Sequence, residues 1–365
     1  MSAVSANNLC RNSEVLFNNT NSAKWVGKSS VFRLDEDCAC SNHITRIWCS
    51  DEIIPDFLAE SLNLLRSVGY FSTLSTYYNN QAGVNTATLA EVSIPIPPLD
   101  VQRRLVAELD AARAERDRAL GEAERRLTSI DDLVKVKLGL PDLKPPKQAG
   151  YAIRLTVAKS TNTLSADFFH PERMQAVRLI QRLSNAPLAK LVGFQRDIVK
   201  SPGESRYIGL ASVASGTGQL TEAIETASGQ CFSFKPGDVL YGRLRPYLNK
   251  VWLATFAGVC STEFHVMRPF DVRTLRPEYL AVVMRTSLIV AQTKHMMTGN
   301  THPRIANEDV ANLLVPLTDE KTQLLIVEET LARQAESVRL CAHAETVWRQ
   351  ARERFEQQLL QGGTS

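Results

Sequence analysis

An internal repeat constrains this chain more than any other feature of its sequence. Short segments of the first hundred residues recur in the same order about 220 positions later. The matched pairs are Glu14-Val-Leu-Phe17 with Asp238-Val-Leu-Tyr241, Lys28 with Lys250, Cys40-Ser41 with Cys260-Ser261, Pro55-Asp-Phe57-Leu58 with Pro277-Glu-Tyr279-Leu280, Asn85-Thr86 with Asn300-Thr301, Pro98-Leu99 with Pro316-Leu317, and Gln102 with Gln323. This collinear series predicts one structural unit that is present in about one and a half copies.

Each copy ends in a Pro-Leu step that leads into a long helical pattern. In the first pattern the core-type positions are Leu105, Leu109, Ala112, Arg116, Leu120, Ala123, Leu127, Ile130 and Val134. In the second they are Val327, Leu331, Gln334, Val338, Cys341, Glu345, Trp348, Arg352, Phe355 and Leu359. Both stripes are typical of coiled coils, and the simplest partner for each helix is the other one. A helix of this length rises about 50 to 60 Å, so we predict a spacer pair; an exposed hairpin with no measuring role is the alternative.

The rest of the chain has the composition of folded domains. Residues 151–318 alternate short β-branched runs with turns and helical patterns, which indicates an α/β domain. The predicted divisions are a partial first domain over 1–99, a first helix over 100–140, a Pro-rich linker over 141–150, the second domain over 151–318 and a second helix over 319–362.

Charge and cysteine usage limit the classes of partner and compartment. The whole chain carries a net charge of only +3, but residues 151–318 hold 19 Lys plus Arg against 12 Asp plus Glu, so the basic surface is local. The sequence has no long apolar run or signal peptide, which favours the cytoplasm. Seven cysteines suit reduced thiols, and the cluster of Cys38, Cys40, His43 and Cys49 lacks the usual spacing of metal ligands.

No catalytic constellation stands out. The chain has no P-loop lysine motif, no metal-binding His pair on a helix and no Ser, His and Asp arrangement, and its Pro-Pro steps lack the flanking groups that an amine methyltransferase needs. A stand-alone enzyme would therefore require a cofactor pocket, and no motif in the sequence indicates one.

The polar residues of the second domain suit DNA binding instead. Candidate contacts in two loop-like stretches are Arg243, Arg245, Tyr247, Asn249 and Lys250 in the first and His302 and Arg304 in the second. Arginine can fork onto guanine and asparagine onto adenine, and lysine can lie against phosphate. Lys200 and Arg206 are predicted phosphate anchors. A solvated charged face is the alternative interpretation of such a cluster.

The sequence resembles the specificity subunits of type I restriction-modification systems. The resemblance rests on the stretches Lys235 to Lys250, Gly258-Val-Cys-Ser-Thr-Glu-Phe264, Gln81-Ala-Gly-Val-Asn-Thr86 and Ile94-Pro-Ile-Pro-Pro-Leu-Asp-Val-Gln102, the last running into a long helix. It implies two tandem α/β target-recognition domains, each specific for half of a bipartite double-stranded DNA site. It also implies two antiparallel coiled-coil helices that set the spacing and dock methyltransferase subunits, with a restriction and translocase subunit completing the complex. Such a subunit is non-catalytic, and S-adenosylmethionine, ATP and Mg²⁺ belong to its partners.

The two copies differ in length at their front. Residues 151–237 precede the matched segment of the second copy, but only residues 1–13 precede that of the first. Three hypotheses follow for the first domain. A separate chain completes it, or a second copy of this chain pairs with it so that two second domains act together, or the protein is a silent remnant that serves only as a methyltransferase-binding helical scaffold.

Overall fold

The computed structural model describes residues 9–78, 81–144, 150–161, 163–200, 203, 205–223, 225–227, 229–299 and 301–361. The chain divides into two compact units. Unit one comprises the residues up to Glu122 together with those from Arg339 onward, and unit two runs from Ala123 to Val338. Each unit thus contains one half of both long helices. None of the described helices combines the length and the apolar character needed to cross a membrane.

Unit one is built on two small three-stranded sheets. Their strand orders are β3-β1-β4 and β2-β6-β5. Alternate side chains of β1 are buried, and Phe17 packs edge-on against Phe71 in the core. The elements are β1 (Val15–Asn18), β2 (Thr20–Asn21), β3 (Ser29–Val31), β4 (Ile44–Ile47), α1 (Pro55–Ser67), α2 (Tyr70–Leu74), β5 (Thr76–Tyr78), β6 (Gln81–Gly83), α3 (Thr86–Ala90) and the long helix α4 (Leu99–Lys137).

Unit two is the larger α/β domain. Its two four-stranded sheets have the orders β13-β12-β15-β8 and β10-β14-β11-β9, and β16-β17 and β18-β7 form two-stranded sheets. Its elements are α5 (Leu155–Thr161), α6 (Pro171–Ile180), β7 (Asn185–Pro187), β8 (Val192–Gln195), β9 (Ile198–Val199), β10 (Tyr207–Ile208), β11 (Cys231–Phe234), β12 (Val239–Gly242), β13 (Val251–Leu253), β14 (Gly258–Ser261), β15 (Phe264–Pro269), α7 (Pro277–Val283), α8 (Ser287–Thr293), β16 (Met297–Thr298), β17 (Arg304–Ile305), α9 (Asn307–Ala311), β18 (Leu314–Pro316) and the long helix α10 (Glu320–Gln361). Residues 145–149 of the predicted linker lie outside the described part of the chain.

The predicted repeat is visible in the pairing of the strands. The central strand β1 has β3 on one side and β4 on the other, and β12 lies in the same way between β13 and β15. The registers agree, since Val15 pairs with Val31 and Ile47 where Val239 pairs with Leu253 and Met267. The match of Asn85 with Asn300 differs from the prediction. Asn85 is the N-cap of α3, and the equivalent helix α9 has Ala306 as its N-cap. Asn300 itself lies outside the described residues.

A buried glutamine joins the first turn of each long helix to its own unit. The Gln102 side chain accepts a hydrogen bond from the Ile54 amide at 2.9 Å. Its Nε2 donates to the carbonyls of Glu52 at 2.9 Å and Pro97 at 2.7 Å. All polar atoms of this buried amide group are therefore paired within the fold, as burial requires.

Gln323 repeats this arrangement in unit two. Its side chain accepts from the Arg276 amide at 3.0 Å, and its Nε2 donates to the carbonyls of Thr274 at 3.0 Å and Thr318 at 2.9 Å. Both glutamines are completely buried. The match of Gln102 with Gln323 in the sequence thus reflects the same set of hydrogen bonds between domain and helix in both units.

The two long helices run antiparallel. Within unit one, Arg104 of α4 approaches Gln358 of α10, and Glu115 approaches His343. Within unit two, Arg333 of α10 donates to Ser129 of α4. The predicted stripe is correct where Leu105, Leu109 and Ala112 pack against Phe355 and Leu359.

The predicted stripe is wrong in the middle of α10. Leu331 is 58% exposed and Val338 is 55% exposed, whereas the preceding residues Thr330 and Ser337 are buried. Ala344 is likewise buried one position before the predicted Glu345. The small side chains of Thr, Ser and Ala are thus buried here, and the larger apolar residues next to them are exposed.

Candidate nucleic-acid interface

Two polar loops of unit two, far apart in the sequence, lie side by side. Leu244 forms an isolated β-bridge with Arg304. The Arg245 amide donates to the Pro303 carbonyl at 2.7 Å, and the Ile305 amide donates to the Arg243 carbonyl at 3.1 Å. The structure therefore brings together the candidates near 243–249 and those near 302–304.

The loop after β12 has an unusual backbone that presents Tyr247. Arg245 and Asn249 both have positive φ, at 48° and 52°, and they flank a short 3₁₀ turn over Pro246–Leu248. Non-glycine residues adopt this conformation only where surrounding contacts hold them. The Asn249 Nδ2 supplies such a contact by donating to the Arg285 carbonyl at 2.6 Å. The Tyr247 side chain, 46% exposed, lies on the surface between them.

The Asn249 Nδ2 and the Lys250 Nζ both donate to backbone carbonyls of the domain. Lys250 Nζ donates to the carbonyls of Leu210 at 2.6 Å and Val213 at 2.9 Å. Both side chains are half-buried, and withdrawing a donor that already satisfies backbone carbonyls costs free energy. Both residues thus help to hold the loop, their DNA contact stays a prediction, and the interface proposed below is placed on their neighbours.

Arg304 is oriented by a carboxylate. Its Nε and Nη2 donate to Glu263 at 3.0 Å and 2.9 Å, in the two-pronged geometry that arginine forms with carboxylates. These hydrogen bonds and the charge of Glu263 raise the pKa of Arg304. The neighbouring His302 is exposed, and its carbonyl accepts from Arg304 Nη1 at 3.3 Å.

Arg243 borders a small cleft of about 110 Å³ beside the two loops. The cleft is also lined by Arg196, Asn307 and the buried His265. Burial first, and then the charges of Arg243 and Arg196, lower the pKa of His265 to about 4. The imidazole is thus neutral near pH 7, and the positive charge at this cleft comes from the arginines alone.

The two predicted phosphate anchors lie at opposite ends of strand β14. Lys200 is exposed and directly follows β9, whose Val199 pairs with Cys231 opposite Ser261. Arg206 precedes β10 at the Gly258 end of β14, and its guanidinium lies 3.5 Å from the centre of the Phe256 ring. The Arg243 amide donates to the carbonyl of Glu263, which lies just beyond Ser261, so the candidate loops are at the Ser261 end of β14. Lys200 lies at this end of the strand, and Arg206 lies at the other.

A cluster of ionisable side chains joins α6 to the end of α8, and sequence reasoning did not find it. Glu172 accepts from Lys294 at 2.6 Å and from His295 at 3.1 Å, and the His295 ring stacks on His170 at 3.5 Å. The contributing residues are more than a hundred positions apart, and no spacing motif connects them. Since Lys294 already neutralises the carboxylate, we interpret the cluster as an ion pair that fastens α6 in place.

These features define the class of the protein: two α/β units carried by one pair of long antiparallel helices, with polar loops exposed on the larger unit. No known protein family matches the chain in a family comparison. Among curated proteins, the specificity subunit of the type I restriction enzyme EcoDI from Escherichia coli is 29% identical over 117 residues, which make up 32% of this chain. That stretch spans only 24% of the relative's length.

Three solved structures align with most of the chain. A chain from a study of complex assembly and conformational transition in the type I restriction-modification system is 16% identical with a TM-score of 0.51, covering 97% of this chain and 82% of that one. The HsdS subunit from Thermoanaerobacter tengcongensis has 16% identity, a TM-score of 0.41 and coverages of 96% and 81%. The S subunit from M. genitalium has 9% identity, a TM-score of 0.48 and coverages of 94% and 82%. The fold is that of the chain from the study of the type I restriction-modification system, as predicted, and the predicted resemblance to type I specificity subunits is confirmed by the curated relative.

Proposed function

We propose that this chain is a non-catalytic, sequence-specific DNA-binding subunit of a type I restriction-modification complex. Unit two binds one half of a bipartite site in double-stranded DNA. The observation that carries the proposal is the meeting of the two loops, which places the exposed Tyr247 and His302 beside the half-buried Arg245 and Arg304. Loops held by a rigid scaffold are the usual carriers of recognition.

The residues divide by the kind of DNA contact that they suit. Arg245 and Arg304 can fork onto guanine edges, Tyr247 and His302 can contact bases or sugars, and Lys200 suits phosphate. Glu263 would keep the Arg304 guanidinium in one orientation before DNA arrives, which reduces the entropy lost on binding.

The long helices offer a surface for a second partner. Leu324, Leu331 and Val338 of α10 recur every seven residues and are all exposed within unit two. A row of apolar side chains at this spacing forms one stripe on a helix, and an exposed stripe is typical of a protein interface. We propose that methyltransferase subunits dock there and that a restriction and translocase subunit joins that complex. S-adenosylmethionine, ATP and Mg²⁺ would be bound by those partners.

The pattern of N6-methyladenine in the host genome tests this function directly. We expect deletion of the gene to abolish methylation at one bipartite motif in long-read sequencing, and the motif itself would identify the half-sites. If no motif changes while the partner subunits are expressed, the alternative applies: the chain is a helical scaffold that binds methyltransferase without recognising DNA.

Purified variants then separate base contacts from phosphate contacts. With the motif as probe, Arg245→Ala should cost roughly 1 to 3 kcal/mol of binding free energy and relax one base position. Lys200→Ala should weaken binding to all sequences alike and lower the slope of log K against log salt by about 1. Arg273→Ala, an exposed arginine of the same domain outside both loops, is the matched control. Equal losses for Arg245→Ala and this control would refute the proposed surface.

A variant of the helical stripe tests the docking surface. We expect Leu331→Glu to reduce co-purification with the methyltransferase subunit, because it places a charge in the centre of the apolar stripe. DNA binding by unit two should persist. Leu164→Glu, at an exposed leucine outside both long helices, provides the control, and equal loss of co-purification in both variants would exclude the stripe.

A further inference from the structure

Three basic side chains share one face at the end of the sheet formed by β13, β12, β15 and β8. His265 of β15 pairs with Tyr241 of β12. β8 ends at Gln195, and continuing its antiparallel ladder with β15 by one residue places Arg196 opposite His265. Paired residues point to the same face of a sheet, and so do residues two apart along a strand, which adds Arg243. Arg196, His265 and Arg243 are therefore neighbours, although sequence reasoning did not connect them.

The three side chains line the small cleft of about 110 Å³ beside the candidate loops. Phe194, Phe232 and Phe264 also line it. None of the described residues in this lining is acidic, so the two guanidinium groups leave the cleft positively charged. Pockets for drug-sized ligands measure roughly 300 to 1,000 Å³, and this cleft is therefore suited to one small anionic group.

Two buried nitrogen atoms at the cleft have no hydrogen-bond partner among the residues that the structure describes. They are Nε2 of His265 and Nε of Arg243. The His265 side chain is almost fully buried, with 6% of its surface exposed. A buried donor without an acceptor costs free energy, and a ligand with several acceptor oxygens removes that cost. The cleft thus favours an oxygen-rich anion.

The His265 ring is held in place by aromatic neighbours. It lies nearly parallel to the Tyr241 ring, at 22° and with 6.3 Å between the ring centres. Phe194 packs against it edge-on with 6.0 Å between the centres. Neutral imidazole can carry its hydrogen on Nε2 and donate from there. Because the ring is already fixed, little conformational freedom is lost when a ligand accepts this hydrogen bond.

We propose that this cleft binds one phosphate group of the DNA backbone, with Arg196 and Arg243 as charged donors and His265 as a third donor. Guanidinium groups form strong, charge-assisted hydrogen bonds with phosphate oxygens. The inference rests on the proposed DNA binding by unit two, and it adds a phosphate contact next to the loop that Arg243 begins. Arg196 and His265 then fix the position of the backbone while the loops contact the bases.

The first measurement uses the full chain and inorganic phosphate as the probe. The ring signal of His265 is followed by NMR, and it is assigned by its absence from the spectrum of His265→Phe. Phosphate replaces chloride up to about 50 mM at constant ionic strength, so that general screening does not change. We expect a saturable change in this signal with a dissociation constant on the order of 10 mM.

The pH dependence of the same signal gives a second readout. The charges of Arg243 and Arg196 lower the pKa of His265, after burial as the larger cause, and the Tyr241 ring that stacks on it is buried and uncharged. A bound anion stabilises the protonated ring instead. The pKa of His265 should therefore rise from about 4 when phosphate is added.

Arg196→Gln is the decisive variant, because Arg196 is exposed and its replacement leaves the buried wall of the cleft in place. We expect phosphate binding at His265 to weaken at least about 10-fold. Binding to duplex DNA should weaken for all sequences alike, and the slope of log K against log salt should fall by about 1. Arg273→Gln, at an exposed arginine of the same unit outside the cleft, should change neither.

The outcomes separate the site from its source of phosphate. Absence of a phosphate-dependent change at His265, or an equal change in Arg196→Gln, would overturn the site. A saturable change at His265 with unaltered DNA affinity in Arg196→Gln would overturn the assignment to the DNA backbone, since the cleft would then take free phosphate.

Failure of the proposed function gives a different result. A wild-type chain that binds no duplex DNA would refute DNA recognition and, with it, the backbone assignment, whereas the response of His265 to inorganic phosphate would still decide whether the cleft binds an anion. Arg245→Ala should relax one base position and leave that response unchanged.

Discussion

The buried glutamine at the start of each long helix permits a quantitative test of the repeat. Gln323→Met keeps the volume of the side chain but removes three hydrogen bonds, to the amide of Arg276 and the carbonyls of Thr274 and Thr318. At about 1 kcal/mol net for each bond the loss is about 3 kcal/mol, and backbone groups left buried without partners bring it to about 3 to 5 kcal/mol. The same change at Gln102 should cost a similar amount, because the geometry is the same.

Urea unfolding followed by circular dichroism measures the global loss, and amide exchange measures the local one. Exchange at Arg276 should accelerate in Gln323→Met, since that amide donates to the removed oxygen. Lys321→Met is the control, because Lys321 is exposed on the same first turn of α10. A destabilisation below about 1 kcal/mol, or one equal to that of Lys321→Met, would refute the view that these hydrogen bonds join helix to domain.

Three further predictions concern unit two. The pKa of His265 is about 4 in the folded protein and about 6.5 in the unfolded chain, so the folded state resists protonation. The free energy of unfolding should therefore be at its full value above pH 6.5 and fall by roughly 3 kcal/mol as the pH drops to about 4. Urea titrations at several pH values should show a flatter dependence for His265→Phe. Asp238 is buried and accepts two hydrogen bonds from Arg268, whose side chain is 39% exposed. Asp238→Asn should therefore lower the free energy of unfolding by about 2 kcal/mol, less than the loss of a fully buried pair. An unchanged melting temperature in thermal denaturation would contradict this. Lys250→Met should lower the free energy of unfolding by about 2 kcal/mol, because two hydrogen bonds to carbonyls are lost. The folded variant should retain its DNA affinity at low temperature. A specific loss of affinity in the folded variant would instead place Lys250 in the interface.

The sequence was sufficient where a signal is local or periodic. The repeat, the two long helices and the α/β character follow from matched segments, heptad spacing and turn residues. The proximity of Arg243 and Arg304 was not accessible in this way, because only the strand pairing brings them together.

The error in the helical stripe arose where the surroundings of a side chain decide its role. Leu331 and Val338 have the hydrophobicity of core positions, but they are exposed and the adjacent Thr330 and Ser337 are buried. Asn249 and Lys250 have the chemistry of DNA contacts, and their nitrogen donors bind carbonyl oxygens of the same domain, which the sequence does not show. The type of a residue determines which groups its side chain can bind, and the surroundings of that side chain determine which of them it does bind.

The sequence by itself determined that this protein is built from a repeated α/β unit and two long helices, since repetition and periodicity depend only on the order of residues. The tertiary structure decided which polar side chains face solvent and which apolar stripe of α10 is left uncovered. Those properties depend on contacts between segments that are distant along the chain. Burial and hydrogen bonding, which are set by those contacts, therefore separate the surface that can bind a partner from the residues that hold it in place.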